Sequence, residues 1–157
     1  MEGVVSVHQI YMLLVGIHIF AAIIGVGPAL AFNRVLKTAE NMNELKSAYK
    51  IIGKLNHFAN IGFGLLLLTG LLMGLMNPSL FQMIWYDLSL IIFIILGLYQ
   101  AIITEPKMKS LLKIAETYDG VDIPQEYKNL SEKKAPYDWL SNTILIIIFI
   151  LMVFKPW

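Results

Sequence analysis

The run GVVSVHQIYMLLVGIHIFAAIIGVGPALAFN, from Gly3 to Asn33, contains no Asp, Glu, Lys or Arg. A helix that crosses a bilayer needs about 20 mostly apolar residues, and this run is longer. It has no basic leading segment and no small-x-small cleavage site, and it outruns the apolar region of a signal peptide. A retained spanning helix is therefore expected. Uncharged runs recur at Leu55–Tyr86, Leu88–Thr104 and Trp139–Phe154. Together they predict spans near 7–32, 54–76, 84–104 and 139–154, with Trp139 and Trp157 as interfacial anchors of the last. Longer loops near 33–53 and 105–138 join the first to the second and the third to the fourth.

The 157 residues are 15% charged, against roughly 25% in soluble domains, and their mean hydropathy is +0.68. Lipid is the expected solvent. The expected fold is all-α: one integral-membrane domain, an up-down-up-down four-helix bundle. The chain has no cysteine, which excludes disulfides, thiolate metal sites and cysteine nucleophiles.

Orientation follows from the basic residues. Arg34, Lys37, Lys46, Lys50 and Lys54 fall in or beside the first long loop, and Lys107, Lys109, Lys113, Lys128, Lys133 and Lys134 in the second. Only Lys155 lies elsewhere. The positive-inside rule gives both termini outside and both long loops in the cytoplasm. Met108, Leu111, Leu112, Ala115 and Tyr118 stand at helical spacing between lysines, which predicts an amphipathic helix along the membrane surface. Glu105-Pro106 should break or bend the chain before it, and residues 119–136 read as a true loop. The lysines interleave with acids, so no nucleic-acid partner is expected. The absence of a targeting peptide and the abundance of Ile and Lys favour a bacterial cytoplasmic membrane.

Polar groups within spans are expensive and so mark candidate sites. His18 lies mid-span in the first helix. Tyr11 stands one heptad before it and Gly25 one heptad after, followed by Gly27, Pro28 and Ala29. Such a face leaves room for a flat ligand or a neighbouring helix. A haem ligand and a histidine bonded across the bundle are both open readings. His57 shares a face with Gly53, Asn60 and Gly64, near the inner headgroups. The two histidines are expected about 15 Å apart in depth, too far for one iron within one chain. Asn56, Gln100 and Asn142 complete the polar set. His8, Met12, Met73, Met76, Met83 and Met152 lie toward the outer ends. Imidazole with thioethers suits Cu(I), and methionine is also the usual filler of apolar gaps. No phosphate-binding glycine loop, His-Glu-x-x-His or Gly-x-Ser-x-Gly is present.

The segments GIHIFAAIIGVGPALAF (Gly16–Phe32), GFGLLLLTGLLMG (Gly62–Gly74) and ILMVFKPW (Ile150–Trp157) resemble small bacterial membrane proteins related to the copper-resistance CopD-like proteins and the HemJ-like protoporphyrinogen oxidases. The shared pattern is a first-helix histidine before small residues, with a Thr-Gly pair in the second helix. In HemJ-like proteins that histidine is implicated in haem or porphyrin binding, a role the resemblance carries to His18 alone. Where HemJ-like proteins have an aromatic-Leu-Pro-Arg run, this chain departs from the pattern and reads Pro28-Ala29-Leu30-Ala31-Phe32-Asn33-Arg34, which weakens the resemblance as a pointer to the oxidase activity.

The leading expectation is a membrane protein binding haem b or a related tetrapyrrole, for electron transfer or tetrapyrrole chemistry. His18 is its principal ligand, and His57, Tyr11 and Asn60 are further candidates. Copper handling through His8, Met73 and Met76 is the first alternative, and a non-catalytic accessory subunit the second. No catalytic residue is assigned. Lipid is the obligatory partner; Gly70 and Gly74 have the small-xxx-small spacing of close helix contacts, compatible with a homodimer or a redox partner.

The orientation can be checked in intact cells by single-cysteine labelling. A membrane-impermeant maleimide should react with Ser79→Cys from outside and leave Asp119→Cys unlabelled until the cells are opened.

Overall fold

A computed structural model describes residues 6–156. They form four long helical rods and, among the described residues, no strand. Helix α1 is Val7–Lys37 and α2 is Met42–Met76. A 3₁₀ turn, Pro78–Gln82, leads to α3, Ile84–Tyr99. A π-helical turn, Gln100–Thr104, joins α3 to α4, Glu105–Thr117, and α5 is Gln125–Phe154. All four rods, α3 and α4 counting as one, are long and apolar enough to cross a membrane. Phe20, Ile95 and Phe149 are each about 60% exposed. That much apolar side chain facing outward suits lipid and would be costly in water.

The helix starts follow from local chemistry. Ser6 and Gln9 form a capping box at the head of α1, with bonds of 2.9 and 3.2 Å. Asn41 caps α2 by accepting the Glu44 N–H at 3.0 Å. Each satisfies a backbone donor that the first turn leaves free.

Helices α1 and α2 are the most extensively packed pair, and their seam is made of small residues. Ala21 and Gly25 of α1 are buried against Gly62 of α2. A Cβ placed on Gly62 would lie 2.6 Å from the Gly25 Cα and 2.9 Å from the Ala21 carbonyl oxygen, so backbone meets backbone there. Helices α3 and α5 form the second pair. Leu96, Leu145 and Ile148 make its core, and Phe63 and Val26 reach across from the first pair.

The segments expected to be loops, 33–53 and 105–138, are mostly helical. Helix α1 continues to Lys37, α2 starts at Met42, and α5 starts at Gln125 with Pro136 inside it. Helix α4 is the expected amphipathic helix, and its apolar face is packed into the bundle. It continues α3 and packs Leu111 and Ala115 against Met42, Leu45 and Tyr49 of α2 and Tyr127 of α5. The Tyr49 and Tyr127 hydroxyls are 3.0 Å apart inside this second core. The second half of α5 is the expected fourth span; its first half escaped the sequence analysis because the buried stripe, Tyr127, Lys134, Ser141, Leu145 and Ile148, has helical spacing but mixed polarity. Trp139 is exposed at the start of its apolar half, where an interfacial anchor belongs; Trp157 lies outside the described residues.

Pro106 falls just inside α4. It has no N–H to give to the preceding turn, and the π turn ahead of it shifts the bonding register, with the Glu105 N–H reaching the Gln100 carbonyl.

Gly62→Ala should lower stability in mild detergent by about 1–3 kcal/mol, the cost of overpacking a tight contact. Gly64→Ala, where a Cβ meets nothing within 4 Å, should shift it by less than about 0.5 kcal/mol. Thermal unfolding of the two variants side by side makes the comparison.

Candidate functional site

The Gly25–Gly62 contact sets the register of the first helix pair. Residue numbers in contact add to 87, and the same holds for His18 and Thr69. His18 Nδ1 lies 2.7 Å from Thr69 Oγ1. The Thr69 hydroxyl has one hydrogen, and it goes to the Leu65 carbonyl at 2.6 Å. Thr69 therefore accepts from His18, and the proton of a neutral imidazole must sit on Nδ1. Nε2 is left with a free lone pair. It is not among the buried polar atoms without a partner, so it reaches the surface of the helix pair.

Thr69 is 3% exposed, whereas His18 is half-buried. The imidazole edge, Cε1, stands 3.6 Å from where a Cβ on Gly70 would be. Tyr86 of α3 is buried behind the same turn and donates its hydroxyl to the Gly70 carbonyl at 2.8 Å. A Cβ on Gly74 would collide with that hydroxyl and come within 2.8 Å of the Phe81 ring. The Gly70-x-x-x-Gly74 spacing thus seats two aromatic rings from the next segment, rather than a bare helix.

The other sequence candidates are dispersed. Tyr11 is half-buried, one heptad from His18 toward the short turn. His57 is exposed on α2, twelve residues from Thr69 and so about 18 Å along the axis; the structure does not bring it to His18. Asn60 faces a separate cavity near the basic end of the bundle, with Asn56, Gln100 and Asn142. His8 is exposed, and Met73 and Met76 are half-buried. By the register of the pair, His8 projects beyond the end of α2, and no interaction joins it to either methionine among the described residues. No group of three His, Asp or Glu side chains is placed to hold a bare metal ion, again among the described residues.

The family described as "Predicted integral membrane protein (DUF2269)" matches residues 12–156. The chain belongs to this family. No curated protein and no solved structure matches it. The DUF2269 match covers all four rods and takes in His18, Thr69, Gly70 and Tyr86, while His8 and Tyr11 lie before its start.

Sequence reasoning missed Thr69 as the partner of His18, and Tyr86 altogether. Thr69-Gly70 was visible as a pair, but its relation to His18 depends on the helix register. Tyr86 carried one signal, an aromatic at the head of a helix that follows two glycines four apart.

A double-mutant cycle isolates the His18–Thr69 bond. Thr69→Val keeps the shape and strands the imidazole donor, and should cost about 1–3 kcal/mol. In a His18→Leu background the same change should cost at least about 1 kcal/mol less. Equal costs in the two backgrounds would show that the bond contributes nothing.

Proposed function

We propose that this membrane protein binds a tetrapyrrole iron centre, haem b, with His18 Nε2 as its protein ligand, and serves electron transfer or tetrapyrrole redox chemistry. One observation carries the reading: the Nδ1–H of His18 is committed to Thr69, whose own proton is committed to Leu65. A metal-ligating histidine is characteristically held this way, its second nitrogen bonded so that tautomer and ring orientation are fixed. A histidine needed only for packing has no reason to leave a basic nitrogen free at mid-depth in a membrane.

The donor set supports the same reading. One imidazole without neighbouring carboxylates or thiolates is too few ligands for a bare ion. A tetrapyrrole brings four nitrogens of its own and needs only an axial ligand from the protein. Bound at His18, the iron would supply one-electron chemistry. The chain would contribute the ligand, its orientation through Thr69, and an apolar surround. Tyr11 stands on the same side of α1; His57 and Asn60 stand too far along α2 to touch the same ring. Copper handling by His8, Met73 and Met76 remains the weaker alternative, since the three share only an end of the bundle.

The visible spectrum of protein purified from haem-replete cells tests this. A Soret band that shifts on reduction with dithionite and is lost in His18→Ala is expected. Thr69→Val should keep the band but weaken haem retention by about 10-fold or more. A flat spectrum from folded protein, unchanged after haem is added, would overturn the proposal.

A further inference from the structure

The two helix pairs do not close against each other along their whole length. Toward the basic end they part around a cavity of about 540 Å³, within the range of small-molecule sites. Its wall on α1 begins at Ala29, eleven residues and about 16 Å from His18, so it is a separate site.

The lining has two kinds of surface. Phe63 and Phe93, with centroids 6.0 Å apart, stand with Leu96 and Leu145 on the apolar side. On the polar side are the carboxamides of Asn56, Asn60, Gln100 and Asn142. None of these four side chains makes a hydrogen bond to the protein among the described residues. Thr104 is 8% exposed, lines the cavity, and its hydroxyl has no partner. A helical threonine ordinarily returns its proton to the carbonyl four residues back, as Thr69, Thr117 and Thr143 do here. In the π turn that bond is not made. The cavity thus presents several amide N–H groups without an acceptor in the protein, while the Thr104 hydroxyl itself lies sealed behind the lining.

Charge narrows the ligand. The cations lining the cavity are Lys109 and Lys134, and each is paired with an acid four residues away, Lys109 with Glu105 and Lys134 with Asp138. The Lys134–Asp138 pair is itself nearly buried. An anionic head, such as a phosphate or a porphyrin carboxylate, would find no unpaired cation there. Asn60 lies six residues into α2 from Lys54, and Gln100 five residues before Glu105, so these two amides sit about 7–9 Å inside the uncharged zone, with Asn142 and Asn56 nearer its edge, about 6 and 3 Å in.

We infer that this cavity binds the head of an isoprenoid quinone: a neutral, flat ring with carbonyl acceptors and an apolar tail that stays in lipid. The phenylalanines cover the ring faces, and the amides donate to its carbonyl oxygens. The small residues Ala29, Gly53, Gly97 and Ala101 leave the space it occupies.

Decyl-ubiquinone retention by the full chain in nanodiscs tests this, read against empty nanodiscs and against decyl alcohol as a tail-only control. Saturable retention of one quinone per chain, with none for the alcohol, is expected. Asn142→Leu and Gln100→Leu should each weaken it several-fold, and about tenfold where a full hydrogen bond is lost. Gly97→Phe should abolish it by taking up cavity space: Gly97 lines the cavity, and a Cβ there meets nothing within 4 Å. Melting temperatures near that of the unsubstituted protein show that the variants fold. Retention equal to that of empty nanodiscs overturns the inference, as does retention that survives all three substitutions.

Discussion

The contact that the rest of this protein depends on is the meeting of two backbones at Gly25 and Gly62. Lipid tails are as apolar as leucine, so spanning helices gain little by hiding apolar surface from them. What holds α1 to α2 is close packing, and a Cβ on Gly62 would fall 2.6 Å from the opposing Cα. With two long helices locked there, every other level of the pair is fixed. Seven residues along each helix, about 10 Å away, His18 meets Thr69. Farther along α2, the Gly70 carbonyl and the space above Gly74 receive Tyr86 and Phe81, which couples the second helix pair to the first.

This arrangement divides the protein along its length. One half is closed by glycine seams and aromatic rings, and it holds a histidine whose orientation is fixed. The other half opens into a cavity with unpaired amides. Beyond it the rods continue past the uncharged zone into a small core around Tyr49, Leu111 and Tyr127. The π turn at Gln100–Thr104 lies at the junction. It absorbs the missing donor of Pro106 and leaves the Thr104 hydroxyl buried and unpaired beside the cavity. π turns commonly mark functional positions, and here the local cause and the consequence can both be named.

The helical membrane fold was legible because lipid imposes a single rule, long stretches without charge, and four stretches of the chain obey it. Beyond those stretches α4 was legible from its amphipathic spacing, and the first half of α5 was not. That first half needed recognition of a buried stripe in which Lys134 and Ser141 stand between Tyr127 and Leu145, and hydropathy treats Lys134 and Ser141 as surface. His18 stood out as an imidazole at mid-depth, yet its partner could not be read, since pairing it with Thr69 requires the register that only the Gly25–Gly62 contact supplies. The in-span carboxamides stood out one by one. Their convergence on one cavity depends on how the two helix pairs splay, which no local pattern encodes. The separation of His18 from His57 was visible in advance, because depth along a helix follows from residue count.

The central claim is that His18 is held as the Nδ1–H tautomer with Nε2 free. Nitrogen-15 NMR of histidine-labelled protein reads this directly. The chain has three histidines, so His18 can be assigned by comparison with His18→Leu. The account predicts, for haem-free protein, a protonated, pyrrole-type Nδ1 and an unprotonated, pyridine-type Nε2 that persist where the other two histidines average between tautomers. A His18 that shows the opposite tautomer, or averages like the others, would contradict it.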